Sequence, residues 1–174
     1  AVSGNNVFVA WEQETDDTNT PTSIYLRQFN GSAWVELDQS ARGDGLTDNG
    51  VYHALKPAIA IDLNGRPIVA WQQNNSVGAN IFVARWNGTE WVGYANSHVS
   101  GVPGSADSGR PDVAVDSLGR VVVAWEEYST DRVRVRRWNG SAWESLPDVG
   151  FTPTAKQVDL AIGSDNSIYV AYQQ

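Results

Sequence analysis

Two basic pairs, Lys56-Pro57 and Arg110-Pro111, lead into two copies of one apolar block, PAIAIDLNGRPIVAW at 57–71 and PDVAVDSLGRVVVAW at 111–125. A third copy, VDLAIGSDNSIYVAY at 158–172, has Lys156 one position earlier in register. Cations at like positions of a repeat converge in space, and together with loop hydrogen-bond donors they suit a carboxylate or sulfate ligand. The competing arrangement is that each pairs with a nearby Asp or Glu. Acidic and amide side chains follow the same blocks: Glu12, Glu14, Asp16 and Asp17, then Asn74 and Asn75, then Glu126, Glu127, Tyr128 and Asp131. Calcium prefers six to eight oxygen ligands, but no EF-hand spacing is present, so these loops are expected to be a solvated acidic surface with neither metal nor cofactor. His53 and His98 have no matched partners in the sequence and read as ordinary loop residues. Arg42-Gly43-Asp44 matches the tripeptide that integrins read, a three-residue coincidence that specifies little.

Composition narrows the chemistry further. The 174 residues include no Cys, which excludes disulfides, thiol catalysis and Cys-based zinc sites. A formal charge of −8 argues against nucleic acid and anionic membrane surfaces as partners, and no apolar run is long enough to insert into a membrane. There is also no Met, as expected of a processed or excised piece of a secreted, extracellular protein.

The elements that must position these side chains are legible in a second repeat. QFNGSAW at 28–34, RWNGTEW at 85–91 and RWNGSAW at 137–143 place an Asn-Gly step between two apolar runs, the signature of a hairpin with a two-residue type I′ turn. All eight tryptophans then fall into three repeat positions: Trp11, Trp71 and Trp125; Trp86 and Trp138; Trp34, Trp91 and Trp143. Each unit reads as four short strands, a to d. Strand b (VFVAW, PIVAW, VVVAW, IYVAY) is apolar without alternation, so both of its faces should be buried. A sheet covered on both faces by its neighbours is a propeller blade, and periods of 40–50 residues with four strands each are that architecture's signature. A β-sandwich of ordinary hairpins is the alternative, but its strands need not recur in register.

The expected fold is therefore all-β: a single propeller segment over residues 1–174, of antiparallel four-stranded blades. The units run 1–56 (strands b, c, d), 57–110, 111–157 and 158–174 (strands a, b). That gives about three blades plus extra terminal strands, thirteen strands in all, and four does not divide thirteen. One chain does not close the ring, which calls for another copy or the remainder of a parent chain. Trp11, Trp71 and Trp125 should all be buried between blades. Length varies only in the b–c and d–a connections, which lie at one end of an up-and-down blade; variable loops on a rigid scaffold are where function resides.

Phrases such as AVDSLGRVVVAW followed by RWNGSAW resemble the repeats of bacterial sialidase-like propellers related by the Asp-box. In those hairpins the box is Ser-x-Asp-x-Gly-x-Thr-Trp; this chain keeps the Gly and the Trp and has Trp-Asn in place of the Asp-containing segment. The resemblance implies a propeller fold. It also implies an arginine triad, a Tyr–Glu nucleophile pair and an acidic acid/base where catalysis is retained. Only Arg110 stands where such an arginine belongs, with Lys56 as its counterpart in the preceding unit. The expected function is thus a non-catalytic, extracellular binding module with a carbohydrate ligand on the b–c and d–a loop face. Its candidate contacts are Lys56, Arg110, Asn74, Asn75, Glu127 and Tyr128. The alternatives are a fragment of a sialidase-like glycoside hydrolase and a structural or protein-interaction propeller.

Overall fold

The computed structural model describes residues 1–14, 21–47, 52–75, 78–149 and 156–173. Their strands are β1 (Val2–Ser3), β2 (Asn6–Glu14), β3 (Thr22–Phe29), β4 (Trp34–Val35), β5 (Ala54–Ile61), β6 (Pro67–Asn75), β7 (Gly78–Trp86), β8 (Trp91–Gly93), β9 (Ser108–Val115), β10 (Val121–Glu127), β11 (Arg132–Trp138), β12 (Trp143–Ser145), β13 (Lys156–Ile162) and β14 (Ile168–Gln173). They form three four-stranded sheets in simple sequential order, β1 to β4, β5 to β8 and β9 to β12, and a two-stranded sheet of β13 and β14. Every pairing is antiparallel, so each sheet is an up-and-down blade.

Among the described residues there are fourteen strands where thirteen were expected of the chain. Residues 1–3 fold back on strand b: Val2 pairs with Val7, the Ala1 amino group donates to the Phe8 carbonyl at 2.9 Å and the Phe8 N–H returns to Ala1 at 2.8 Å. The first blade thereby has a vestigial strand a, and the four-strand pattern holds in three blades.

Packing follows the double-sided burial read from strand b. Between blades 1 and 2, Phe8, Ile24 and Leu26 meet Val69 and Trp71; between blades 2 and 3, Ile68 and Ala70 meet Val123 and Trp125; between blade 3 and the last hairpin, Val122, Ala124 and Val135 meet Leu160. Trp71 and Trp125 are fully enclosed. Trp11 is only partly buried: among the described residues no sheet packs on its side of blade 1, and it stacks on Tyr25 at 5.7 Å. The expectation that all three lie buried between adjacent blades fails at this one, because a propeller position encloses its Trp fully only when the preceding blade is there to cover it. The far face of the last hairpin is equally open, with Tyr169 60% exposed.

The Asn-Gly hairpins also differ from the expected type I′ turn. Neither Asn30, Asn87 nor Asn139 has a positive φ; only the following glycines do, Gly88 at 113°. Phe29 pairs with Trp34, Trp86 with Trp91 and Trp138 with Trp143, so each loop has four residues. The Asn side chain organises it: Asn87 Oδ1 accepts from Thr89 N, Thr89 Oγ1 and Glu90 N at 2.9, 2.9 and 3.0 Å, and Asn30 and Asn139 do the same. Asn competes well for such local backbone bonds, which is why the sequence keeps Asn without needing it left-handed.

Candidate functional site

Strand a of each later blade carries one bulge, always opposite the strand-b aromatic. Leu55 pairs with Gln72 and Ala58 with Ala70, leaving Lys56 and Pro57 together opposite Trp71. Arg110 and Pro111 likewise oppose Trp125, and Gln157 and Val158 oppose Tyr172. A bulge sets two residues against one and re-aims a side chain, and proline fits there because it has no N–H for the ladder. Lys56, Arg110 and Gln157 are all left-handed, with φ of 55°, 49° and 52°. Such backbone strain in side-chain-bearing residues concentrates at functional sites. The third member of the ring is therefore Gln157; Lys156, which the sequence placed in a slipped register, points to a separate cleft.

In blades 1 and 3 the residue after the strand-b tryptophan catches the bulge of the next blade. Glu12 Oε2 accepts the Lys56 N–H at 2.6 Å, with Lys56 Nζ 3.7 Å from its other oxygen. Glu126 accepts the Gln157 N–H, and its Oε1 lies 3.6 Å from Arg110 Nη1. The two cations are thus partnered by acids, as the competing reading had it, yet about half of each side chain remains exposed.

Two clefts open around these bulges. One of about 370 Å3 is lined by Arg110, Glu126, Glu127, Tyr128, Asp131 and Lys156. The second, about 340 Å3, has Lys56, Arg110, Pro111, Gln157 and Val158 in its wall. Arg110 belongs to both. Of the six candidate residues, Arg110, Glu127 and Tyr128 line the first cleft, and Lys56 lines the second with Arg110. Asn74 lies apart, its N–H bonded to the His53 carbonyl at 3.0 Å. Asn75 ends β6 opposite Gly78, and its side chain, like Asp16 and Asp17, lies outside the described residues. His53 is a tie between blades, its Nδ1 3.2 Å from the Thr22 N–H.

Electrostatics divide the labour within the first cleft. Burial pushes the Glu127 carboxyl up, but hydrogen bonds from Arg134 Nη2 at 2.8 Å and from Thr130 outweigh it and hold the group below the usual glutamate range. Arg134 also donates to Asp148 at 2.6 Å, and those two acids raise its own pKa. Burial and the neighbouring Glu126 carboxylate push the Tyr128 hydroxyl up, so it stays a neutral donor. That hydroxyl donates to Gln72 Oε1 at 3.2 Å in the preceding blade, crossing Gly109 so closely that any Cβ there would overlap both groups. Gln72, Gly109, Arg134 and Gln157 escaped the sequence reading. The signal available was the position after each strand-b aromatic, Glu12, Gln72, Glu126 and Gln173, whose role appears only when adjacent blades are set side by side. Among the described residues, no three His, Asp or Glu side chains converge as metal ligands. A third groove of about 500 Å3 lies between blades 1 and 2, lined by Arg42, Asp44, Glu90, Trp91 and His98 among others; Arg42 is paired there with Glu36.

No protein-family model matches the chain, and no curated protein does. Solved structures do. The lectin of Aleuria aurantia, described as a six-bladed β-propeller that recognises fucose, superposes with a TM-score of 0.60 at 17% identity, over 96% of this chain and 54% of the lectin. An endo-arabinase of Bacteroides thetaiotaomicron gives 0.57 at 9% identity, over 99% of this chain and 67% of the enzyme. A glycosidase-like protein of the same organism gives 0.52 at 16%, over 83% and 48%. The chain spans about half the length of the lectin. At such identities the likeness defines the fold: this is a partial β-propeller of antiparallel four-stranded blades, its ring unclosed. None of the three is described as a sialidase, and the likeness to them supports the propeller alone.

Proposed function

We propose that this chain is a carbohydrate-binding propeller module of an extracellular protein, whose ligand sits at the mouth formed by the strand-a bulges and the b–c loop of blade 3. One observation carries the reading: Arg110, Glu126, Glu127, Tyr128, Asp131 and Lys156 converge on a single cleft at the variable-loop end. Sugar recognition asks for such a set, a half-exposed aromatic face together with planar charged groups that bond hydroxyls in pairs. A propeller likeness to a fucose-recognising lectin supports the same reading.

The hydrolase alternative needs two carboxyl groups free to act on a glycosidic bond. Here Glu127 is held by Arg134, and Glu126 by Gln157 and Arg110. Asp112, which burial pushes up, is fixed by the N–H groups of Leu160 at 2.7 Å and Val113 at 2.8 Å. Binding without turnover is the better-supported activity. Its test is a panel of neutral methyl glycosides, methyl α-L-fucoside and methyl α-L-arabinofuranoside included, with galacturonate as the anionic member, read by saturation-transfer NMR, alongside chromogenic glycosides for turnover. Transfer from the protein to at least one sugar, lost in Tyr128→Ala, is expected; release of chromophore, or silence towards the whole panel, would overturn it.

A further inference from the structure

The repeat supplies its own internal controls. Two positions after the strand-b tryptophan, Gln13 and Gln73 each accept the indole N–H at 3.0 Å, from Trp11 and Trp71. The residue paired with that tryptophan on strand c is aromatic, Tyr25 or Phe82, stacked at 5.7 and 5.9 Å.

Blade 3 departs at both places. Glu127 stands where the glutamine would, and Arg134 where the aromatic would, opposite Trp125. The two bind each other instead of serving the tryptophan. The Trp125 indole, fully enclosed, is left with no acceptor. One position earlier Glu126, 4% exposed, repeats the Glu12 of blade 1 where blade 2 has Gln72, so it belongs to the common pattern and not to the departure. A buried donor without a partner destabilises a fold. Sequences that break their own local rule do so mostly at functional sites. Here Glu126 and Glu127 both line the 370 Å3 cleft, and Arg134 holds Glu127 in place there.

We infer that blade 3 is the specialised blade, that its Glu127–Arg134 pair is kept at the expense of stability, and that its cleft takes one neutral, hydroxyl-rich saccharide ring. This rests on the carbohydrate reading above and adds the ligand class and the position. The charges in the cleft compensate: Arg110 and Lys156 face Glu126 and Asp131, while Glu127 is matched by Arg134. A balanced site offers an ion no net attraction, whereas its carboxylates accept bonds from ring hydroxyls and its guanidinium donates to them. Tyr128, 41% exposed and braced on Gln72, offers the ring a flat face. The neighbouring cleft, whose charged lining is Lys56 and Arg110 alone, is where an anionic ligand would go instead.

The test restores blade 3 to the pattern of blade 2 with the double variant Glu127→Gln/Arg134→Phe. The new glutamine can accept the Trp125 N–H and the new phenylalanine can stack on its ring. The expected result is a melting temperature higher by about 3 °C or more, with saturation transfer to the neutral methyl glycosides lost at least about tenfold, as a weakening of roughly 1.4 kcal/mol would give. Tyr128→Ala should lose the same binding without raising the melting temperature, and wild-type titration should give one ring per chain. A lower melting temperature in the double variant would show that the network is structural and overturn the inference. So would a raised melting temperature with binding intact, and so would wild-type binding of galacturonate in preference to the neutral sugars. Silence of the wild type towards every sugar would fell the carbohydrate reading itself, and this inference with it, whatever the melting temperatures do.

Discussion

At the scale of single residues, side chains act on the backbone more than on each other. Asn87 shows it: three bonds to one oxygen shape the c–d loop, while Gly88, at φ 113°, supplies the one conformation that an L side chain resists. Asn87→Ala should therefore cost about 1–2 kcal/mol, and Gly88→Val more than Asn87→Ala, both measured by urea unfolding. The sequence exposed the turn but not its type, because Asn-Gly satisfies a left-handed pair and a side-chain-capped loop equally well. Glu127 gives a residue-scale pH effect. Its folded carboxyl lies below the ordinary value of about 4.5, so its stabilising contribution is complete above that value and is lost as pH falls through the lowered one. The stability of wild type relative to Glu127→Gln should consequently decline as pH is lowered below about 4.5; a difference that stays flat or grows on acidification would contradict the Arg134 pairing.

At the scale of elements, strand b was the most legible feature. Four apolar runs without alternation mean burial on both faces, and Ile68, Val69, Ala70 and Trp71 are all fully enclosed. The strand-a bulge was half-legible. Lys-Pro and Arg-Pro marked two of its three occurrences, but the third is Gln157-Val158, where no proline punctuates the sequence and Lys156 drew attention to the wrong position. Burial in an element depends on its neighbour, and this separates two chemically identical substitutions. Trp71→Ala should cost about 3–5 kcal/mol. Trp11→Ala removes little beyond a stacking contact with Tyr25 and should cost under about 1.5 kcal/mol. Equal losses in chemical denaturation would mean that blade 1 is covered on its outer face.

At the scale of the whole molecule, the 174-residue chain presents two open sheet faces of the same repeat, one carrying Val9 and Trp11, the other Tyr169. In the interior these surface types meet each other, as Trp71 of one blade meets the blade before it. The isolated chain should therefore self-associate at micromolar concentration, seen by sedimentation velocity as species above the 18.9 kDa monomer; a monomer whose β2 and β14 amides are all protected from exchange would refute this. Loop lengths alone pointed to the end of the blades where Arg110, Glu127 and Tyr128 line one cleft and Lys56 lines its neighbour. What the sequence hid was the coupling across blades: Tyr128 reaching Gln72 over Gly109, and Glu126 holding the next blade's bulge. Contacts of that kind join residues far apart in the chain that no short motif links.

The most direct measurement of the central claim is amide chemical-shift mapping of the protein titrated with the methyl glycoside that gives the strongest saturation transfer. Shifts should concentrate at Arg110, at Glu126 to Asp131 and at Lys156 to Gln157, leaving the loops at Asn30, Asn87 and Asn139 unmoved. Shifts confined to those Asn-Gly loops, with the residues of the mouth silent, would place the ligand at the opposite end of the blades and contradict the account.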